Sequence, residues 1–119
     1  MIQANELRVG NWVIYNGKAY QIDTISPELP ILDADFGVGV VDYNNIHGIE
    51  LTPEILEKCG FDIKGKTADT CHMWLAPIWL TKMGEGWIYS ANQRHVNLFY
   101  LHQLQNLYFS LTNNELTWD

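Results

Sequence analysis

The chain has 119 residues, the length of one ordinary domain. At 47% hydrophobic and 13% aromatic it carries ample material for a core, which excludes an intrinsically disordered segment. Its net charge of −7, from 14 acidic and 7 basic residues, disfavours nonspecific contact with phosphate backbones.

The most apolar stretch, Met73 to Leu80, is eight residues long and contains Pro77. A membrane-spanning helix needs about 20 apolar residues. The N-terminal MIQANELRVG has neither the basic start nor the apolar run of a secretory signal, so a cytoplasmic location is expected. In that compartment Cys59 and Cys71 are expected as free thiols, with Cys59 a small buried hydrophobe near a helix end. The charge is unevenly spread. No basic residue lies between Lys18 and Lys58, whereas eight acidic residues do: Asp23, Glu28, Asp33, Asp35, Asp42, Glu50, Glu54 and Glu57.

In chain order, the first element is a hairpin. Residues 7–15 and 18–25 are rich in β-branched and aromatic types, and Asn16-Gly17 separates them. Asn-Gly meets the positive φ angles of a type I′ turn, which sets Tyr15 against Lys18, Val13 against Tyr20 and Asn11 against Ile22. Alternation then puts Val13, Tyr15, Tyr20 and Ile22 on one face and Trp12, Ile14 and Ala19 on the other. Both faces are apolar. One should close a small barrel and the other should meet the rest of the chain.

Residues 26–30 read as a loop from their prolines, a third strand is expected over 37–43, and 44–48 reads as a turn. Thr52, Pro53 and Glu54 mark a helix start, and Gly60-Phe61 its Schellman closure, giving a helix over 53–59. Strands follow near 71–75, 77–82, 86–90 and 94–98, with Met83-Gly84-Glu85-Gly86 as a hairpin loop. Leu101, Leu104, Tyr108 and Leu111 recur at helical spacing, predicting a helix that starts at Phe99 or Leu101 and runs to Thr112. Residues 116–118 are expected as a terminal strand. The reading is one α+β domain over 1–119. It comprises an SH3-like small barrel or curled antiparallel sheet over 1–51, a capped helix over 52–61, and a β meander with a C-terminal helix over 62–119.

The opening Gly10-Asn11-Trp12-Val13, followed by Asn16-Gly17-Lys18, resembles the start of SH3-like and KOW-type small barrels. Three blocks together, LRVGNWVIYNGK (7–18), HGIELTPEILEKCGF (47–61) and LHQLQNLYFSLTNNELT (101–117), resemble a family of small uncharacterised proteins encoded by gut Bacteroidetes, often in phage or prophage regions. The resemblance implies an N-terminal barrel and a phage-associated setting. It transfers no catalytic residue.

Chemistry is sparse. Gly37-Val38-Gly39 begins a glycine pattern, but Asp42 stands where a third glycine is required, and the segment reads as a strand. Cys59, Cys71, His72, His95 and His102 are potential metal ligands without the paired short spacings of a zinc site. On a strand, the adjacent Cys71 and His72 point to opposite faces, so they make neither a metal pair nor a nucleophile–base pair. Asp33 and Asp35 lack the rest of a calcium loop. No catalytic, cofactor-binding or metal site is expected.

The expected function is therefore that of a non-catalytic module that binds a protein partner or a second copy of itself. The alternatives are nucleic-acid binding, by stacking on Trp12 or Tyr20, and inhibition of a host nucleic-acid-binding enzyme through the carboxylates of Asp33, Asp35 and Asp42. Beside the leucine stripe of the second helix, His102, Gln103, Gln105 and Asn106 form an uncharged polar surface, expected to face solvent or a partner. Candidate partner-binding residues are thus Trp12, Tyr20, Asp33, Asp35, Asp42, His102 and Gln105. Of Trp74, Trp79 and Trp87, most are expected in the core, with room for one exposed patch.

Overall fold

The computed structural model describes residues 7–25, 30–32, 39–40, 45–66, 71–84, 86–91 and 94–118. The chain is α+β and divides into two compact units. The first takes residues 1–49 and 100–106, the second residues 50–99 and 107–119.

In the first unit, β1 (Trp12–Tyr15) and β2 (Lys18–Ile25) form the expected hairpin. Asn16 and Gly17 have φ of 51° and 77°, as a type I′ turn requires. The register is Val13 to Tyr20 and Tyr15 to Lys18. It continues one step further, where Ile22 N–H donates to the Asn11 carbonyl at 2.9 Å. Alternation then places Val13 and Ile22 in a buried cluster with Leu7 and Ile46, and Tyr15 and Tyr20 lie half-buried against it.

Three short strands complete the sheet: β3 (Pro30–Leu32), β4 (Gly39–Val40) and β5 (Ile46–His47). Two of them correct the sequence reading. A strand starts at Pro30, inside the expected loop, because the first residue of a strand tolerates a missing N–H. The expected turn over 44–48 contains a strand that pairs with β1 through Ile14 to His47 and Tyr15 to Ile46. That pairing is long-range, and local turn residues conceal it. The strand expected over 37–43 is observed at 39–40, its other residues lying outside the described ones. The order β4-β3-β2-β1-β5 is open among the described residues, with β4 and β5 as edges, so the sheet is not closed into a barrel.

The second unit begins with α1 (Pro53–Lys58), punctuated as expected. Thr52 Oγ1 accepts from Ile55 N–H at 3.2 Å. At the other end Gly60, with φ of 101°, donates to the Glu57 carbonyl and Phe61 to the Leu56 carbonyl, the two bonds of a Schellman closure. Leu56 and Phe61 are both buried beside it.

Five strands follow: β6 (Asp62–Lys66), β7 (Cys71–Leu75), β8 (Ile78–Met83), β9 (Gly86–Ala91) and β10 (Arg94–Leu98). Each pairs antiparallel with the next, in the order β10-β9-β8-β7-β6. The four strands over 71–98 match expectation within one residue. β6, rich in lysine and glycine, gave no strand signal. Helix α2 (Leu101–Thr112) closes the chain. Its first six residues belong to the first unit and the rest to the second. It ends at Asn113, whose φ is 60° and whose N–H donates to the Phe109 carbonyl at 2.8 Å. Residues 115–118 are irregular chain in place of the expected terminal strand, held by burial of Leu116. No helix among the described residues is long and apolar enough to cross a membrane.

Candidate functional site

The two faces of the second sheet differ sharply. Cross-strand partners share a face, so the register sorts every side chain. Cys71, Met73, Ile78, Leu80, Trp87 and Leu98 fall on one face, and all are buried. There Trp87 is 1% exposed and its Nε1–H donates to the Leu51 carbonyl at 3.2 Å. The Lys82 ammonium lies 5.5 Å from its ring centroid.

The opposite face is open. It presents His72 and Trp74 from β7, Trp79, Thr81 and Met83 from β8, Ile88 and Ser90 from β9, and His95 and Asn97 from β10. None of these is an acid, lysine or arginine, whereas exposed Asp62 of β6 stands opposite Trp74 on the same face. Trp79 is 44% exposed, and Met83 and Ser90 are exposed too. Trp79 is nonetheless held in place. Its ring centroid lies 5.8 Å from that of Trp74, its direct cross-strand partner, and 5.8 Å from that of His72. His72 Nδ1 in turn shares a 3.1 Å hydrogen bond with Thr81 Oγ1. The three rings form an aromatic shelf whose orientation is fixed by its neighbours.

Beside the shelf lies a shallow depression of about 220 Å³ lined by Thr81, Met83, Ile88, Ser90 and His95. Ser90 Oγ and His95 Nδ1 share a 2.7 Å hydrogen bond across the β9–β10 pair. The same hydroxyl–imidazole pairing thus occurs twice on this face, each time between cross-strand partners. That is a way of satisfying polar groups on a sheet surface. Among the described residues no cluster of three His, Cys, Asp or Glu side chains is placed to hold a metal ion. Cys59 and Cys71 are buried thiols, and Cys71 and half-buried His72 point to opposite faces, as alternation requires.

The residues singled out from the sequence are placed otherwise. Trp12 and Tyr20 are half-buried and lie on opposite faces of their hairpin, so they do not form a joint stacking surface. Tyr20 packs edge-on against Tyr15, centroids 6.4 Å apart. Asp33, Asp35 and Asp42 lie outside the described residues. The polar side of α2 corrects the reading most. His102 is 0% and Gln105 2% exposed, so neither is presented to solvent or to a partner.

Gln105 is a clamp. Its Oε1 accepts from Trp12 N–H at 2.8 Å and its Nε2 donates to the Gly10 carbonyl at 3.2 Å. Asn106 Oδ1 accepts from both Arg8 Nε, at 2.9 Å, and Asn11 Nδ2, at 3.0 Å. Asn11, itself buried, accepts from Arg8 N–H. This network explains the Gly10-Asn11 step before the first strand. Gly10 supplies a φ of 93°, and Asn11 ties the entry to the strand to α2 within the first unit. His102 stacks on Tyr100 with centroids 5.8 Å apart and planes 9° from parallel.

The open face was missed because tryptophans occur on both sides of the sheet. The signal was the alternation itself: His72-x-Trp74 and Trp79-x-Thr81-x-Met83 interleave with Met73, Leu80 and Lys82. The chain matches no family model, no curated protein and no solved structure.

Proposed function

We propose that the chain is a non-catalytic interaction module that docks a protein partner on the open face of the β6–β10 sheet, around Trp79. The observation that carries this reading is a 44% exposed tryptophan fixed between Trp74 and His72, next to an exposed methionine, on a face whose one formal charge placed by the register is Asp62, opposite Trp74 on β6. Protein interfaces are enriched in tryptophan and methionine and depleted of lysine and acids at their centres, and tryptophan, with tyrosine and arginine, is enriched among their anchors. A ring already held by its neighbours loses little freedom on binding. Nucleic acid fits less well. The second unit carries five basic and eight acidic residues, the first two and six, and the open face of β7–β10 offers no cation to a phosphate.

The first sheet supports an SH3-like reading of the N-terminal unit, because its fifth strand returns to pair with the first, as a rolled five-strand meander requires. The sequence blocks that resemble small phage and prophage proteins favour a phage-associated role in the cytoplasm of a bacterial host.

Capture from host lysate tests the docking site. The expected result is one protein retained by the wild type after nuclease treatment, lost with Trp79→Ala and with Thr81→Lys, and kept by Lys18→Ala in the first unit. With the retained protein purified, Trp79→Ala should weaken its binding at least about 30-fold, the effect of an anchor residue. Capture that survives both open-face variants, or that nuclease abolishes, defeats the reading.

A further inference from the structure

The two edges of the second sheet are built differently, and the difference points to a second copy of this chain. At one edge, β6 has a register shift between Ile63 and Gly65 and carries Asp62, Lys64 and Lys66. Bulges and lysines are the usual means by which an edge strand avoids pairing with another. The opposite edge, β10, lacks them. It pairs with β9 residue for residue over five positions, from Arg94 opposite Ala91 to Leu98 opposite Trp87, without a bulge, proline or glycine. His95, Val96 and Asn97 are exposed, Val96 at 42%.

The hairpin register tells which backbone groups face outward. Ala91 and Arg94 pair across two intervening residues, so that pair exchanges ladder bonds, and alternate pairs do so after it. Arg94, Val96 and Leu98 therefore direct their N–H and C=O groups to β9. His95 and Asn97 direct theirs away from the sheet.

We propose that β10 pairs antiparallel with β10 of a second copy about a two-fold axis at Val96, joining two five-stranded sheets into one of ten. In that register His95 of each copy lies opposite Asn97 of the other, and these residues exchange four backbone hydrogen bonds. Val96 meets its own counterpart in a close pair that makes none. Arg94 lies opposite Leu98, so no like charges are brought face to face. Cross-strand partners share a face, so the open faces of both copies lie on the same side of the joined sheet. The contact is separate from the aromatic shelf, and its failure leaves the docking reading intact.

Sedimentation equilibrium of the full chain up to about 1 mM, at an ionic strength of about 0.15 M or above to screen the −7 charge of each copy, provides the test. The wild type should reach twice the 13.7 kDa chain mass. Val96→Lys and Val96→Glu, each setting like charges opposite one another, should sediment as monomers, and an equimolar mixture of the two should recover the dimer. Asn97→Pro removes only an outward N–H, so it should give a folded monomer by circular dichroism. A wild type that remains monomeric overturns the proposal. So does a Val96→Lys protein that stays dimeric, or a mixture that fails to associate.

Discussion

Among the described residues the two sheets have five strands each, yet they reach that number by different routes. The second is a meander in which every strand pairs with its chain neighbours, through strands of five or six residues. The first has one long hairpin, three strands of two or three residues, and a pairing between β1 and β5 that spans the unit. The short strands contribute few ladder bonds, and much of the fixing falls to side chains. Gln105 and Asn106 of α2 clamp the entry of β1 with four hydrogen bonds. The regular sheet needs no such clamp on its open face. Regularity here frees a surface, whereas irregularity consumes polar side chains in holding the fold.

Substitutions that act on one sheet and spare the other sharpen this contrast. The largest effect is expected at Trp87, on the buried face of the second sheet. Trp87→Ala removes a fully buried indole and strands the Leu51 carbonyl that it satisfies. A loss of about 3–5 kcal/mol in denaturant-induced unfolding is expected. A loss below about 1 kcal/mol would mean that this face is not the packed one.

In the first unit the corresponding weak point is polar. Gln105→Ala leaves Trp12 N–H without its acceptor and removes one of two side-chain donors to the Gly10 carbonyl, the other being Gln21 Nε2 at 3.1 Å. Leaving a buried donor unsatisfied costs about 1–3 kcal/mol. Gln105→Met, which keeps the volume but not the hydrogen bonds, should therefore destabilise to a similar degree. If Gln105→Met is neutral in urea titration, the clamp is only a packing contact.

How much of this was legible in the sequence follows from range. The hairpin, its register and the capped helix rest on residues one to five apart: Asn16-Gly17, Thr52 with Ile55, Gly60-Phe61 with Leu56. All three were readable. The strand at 46–47 was not, because its stability comes from β1, some thirty residues away, while its own sequence is turn-like. The polar side of α2 was misread for the same reason. Period alone places His102 and Gln105 off the leucine stripe, and nothing local records that Trp12 and Gly10 require partners. On the second sheet four of the five strands were legible, β6 being the exception, but the choice of buried face was not. Indoles occupy both faces, and burial is decided by what packs on the sheet.

Trp79 provides the finest test of the comparison, since it differs from Trp87 in little but the face it occupies. Trp79→Ala gives up ring contacts with Trp74 and His72, yet it opens no cavity, because the indole already meets solvent. Aromatic pairs of this kind contribute about 0.5–1.5 kcal/mol, and at an exposed site the lower end applies. The unfolding midpoint should move by an amount near the error of a urea titration, while partner binding falls sharply. A stability loss approaching that of Trp87→Ala would make the shelf a structural element. An unchanged midpoint with lost binding separates the two faces by role: one tryptophan spent on the fold, the other kept for contact.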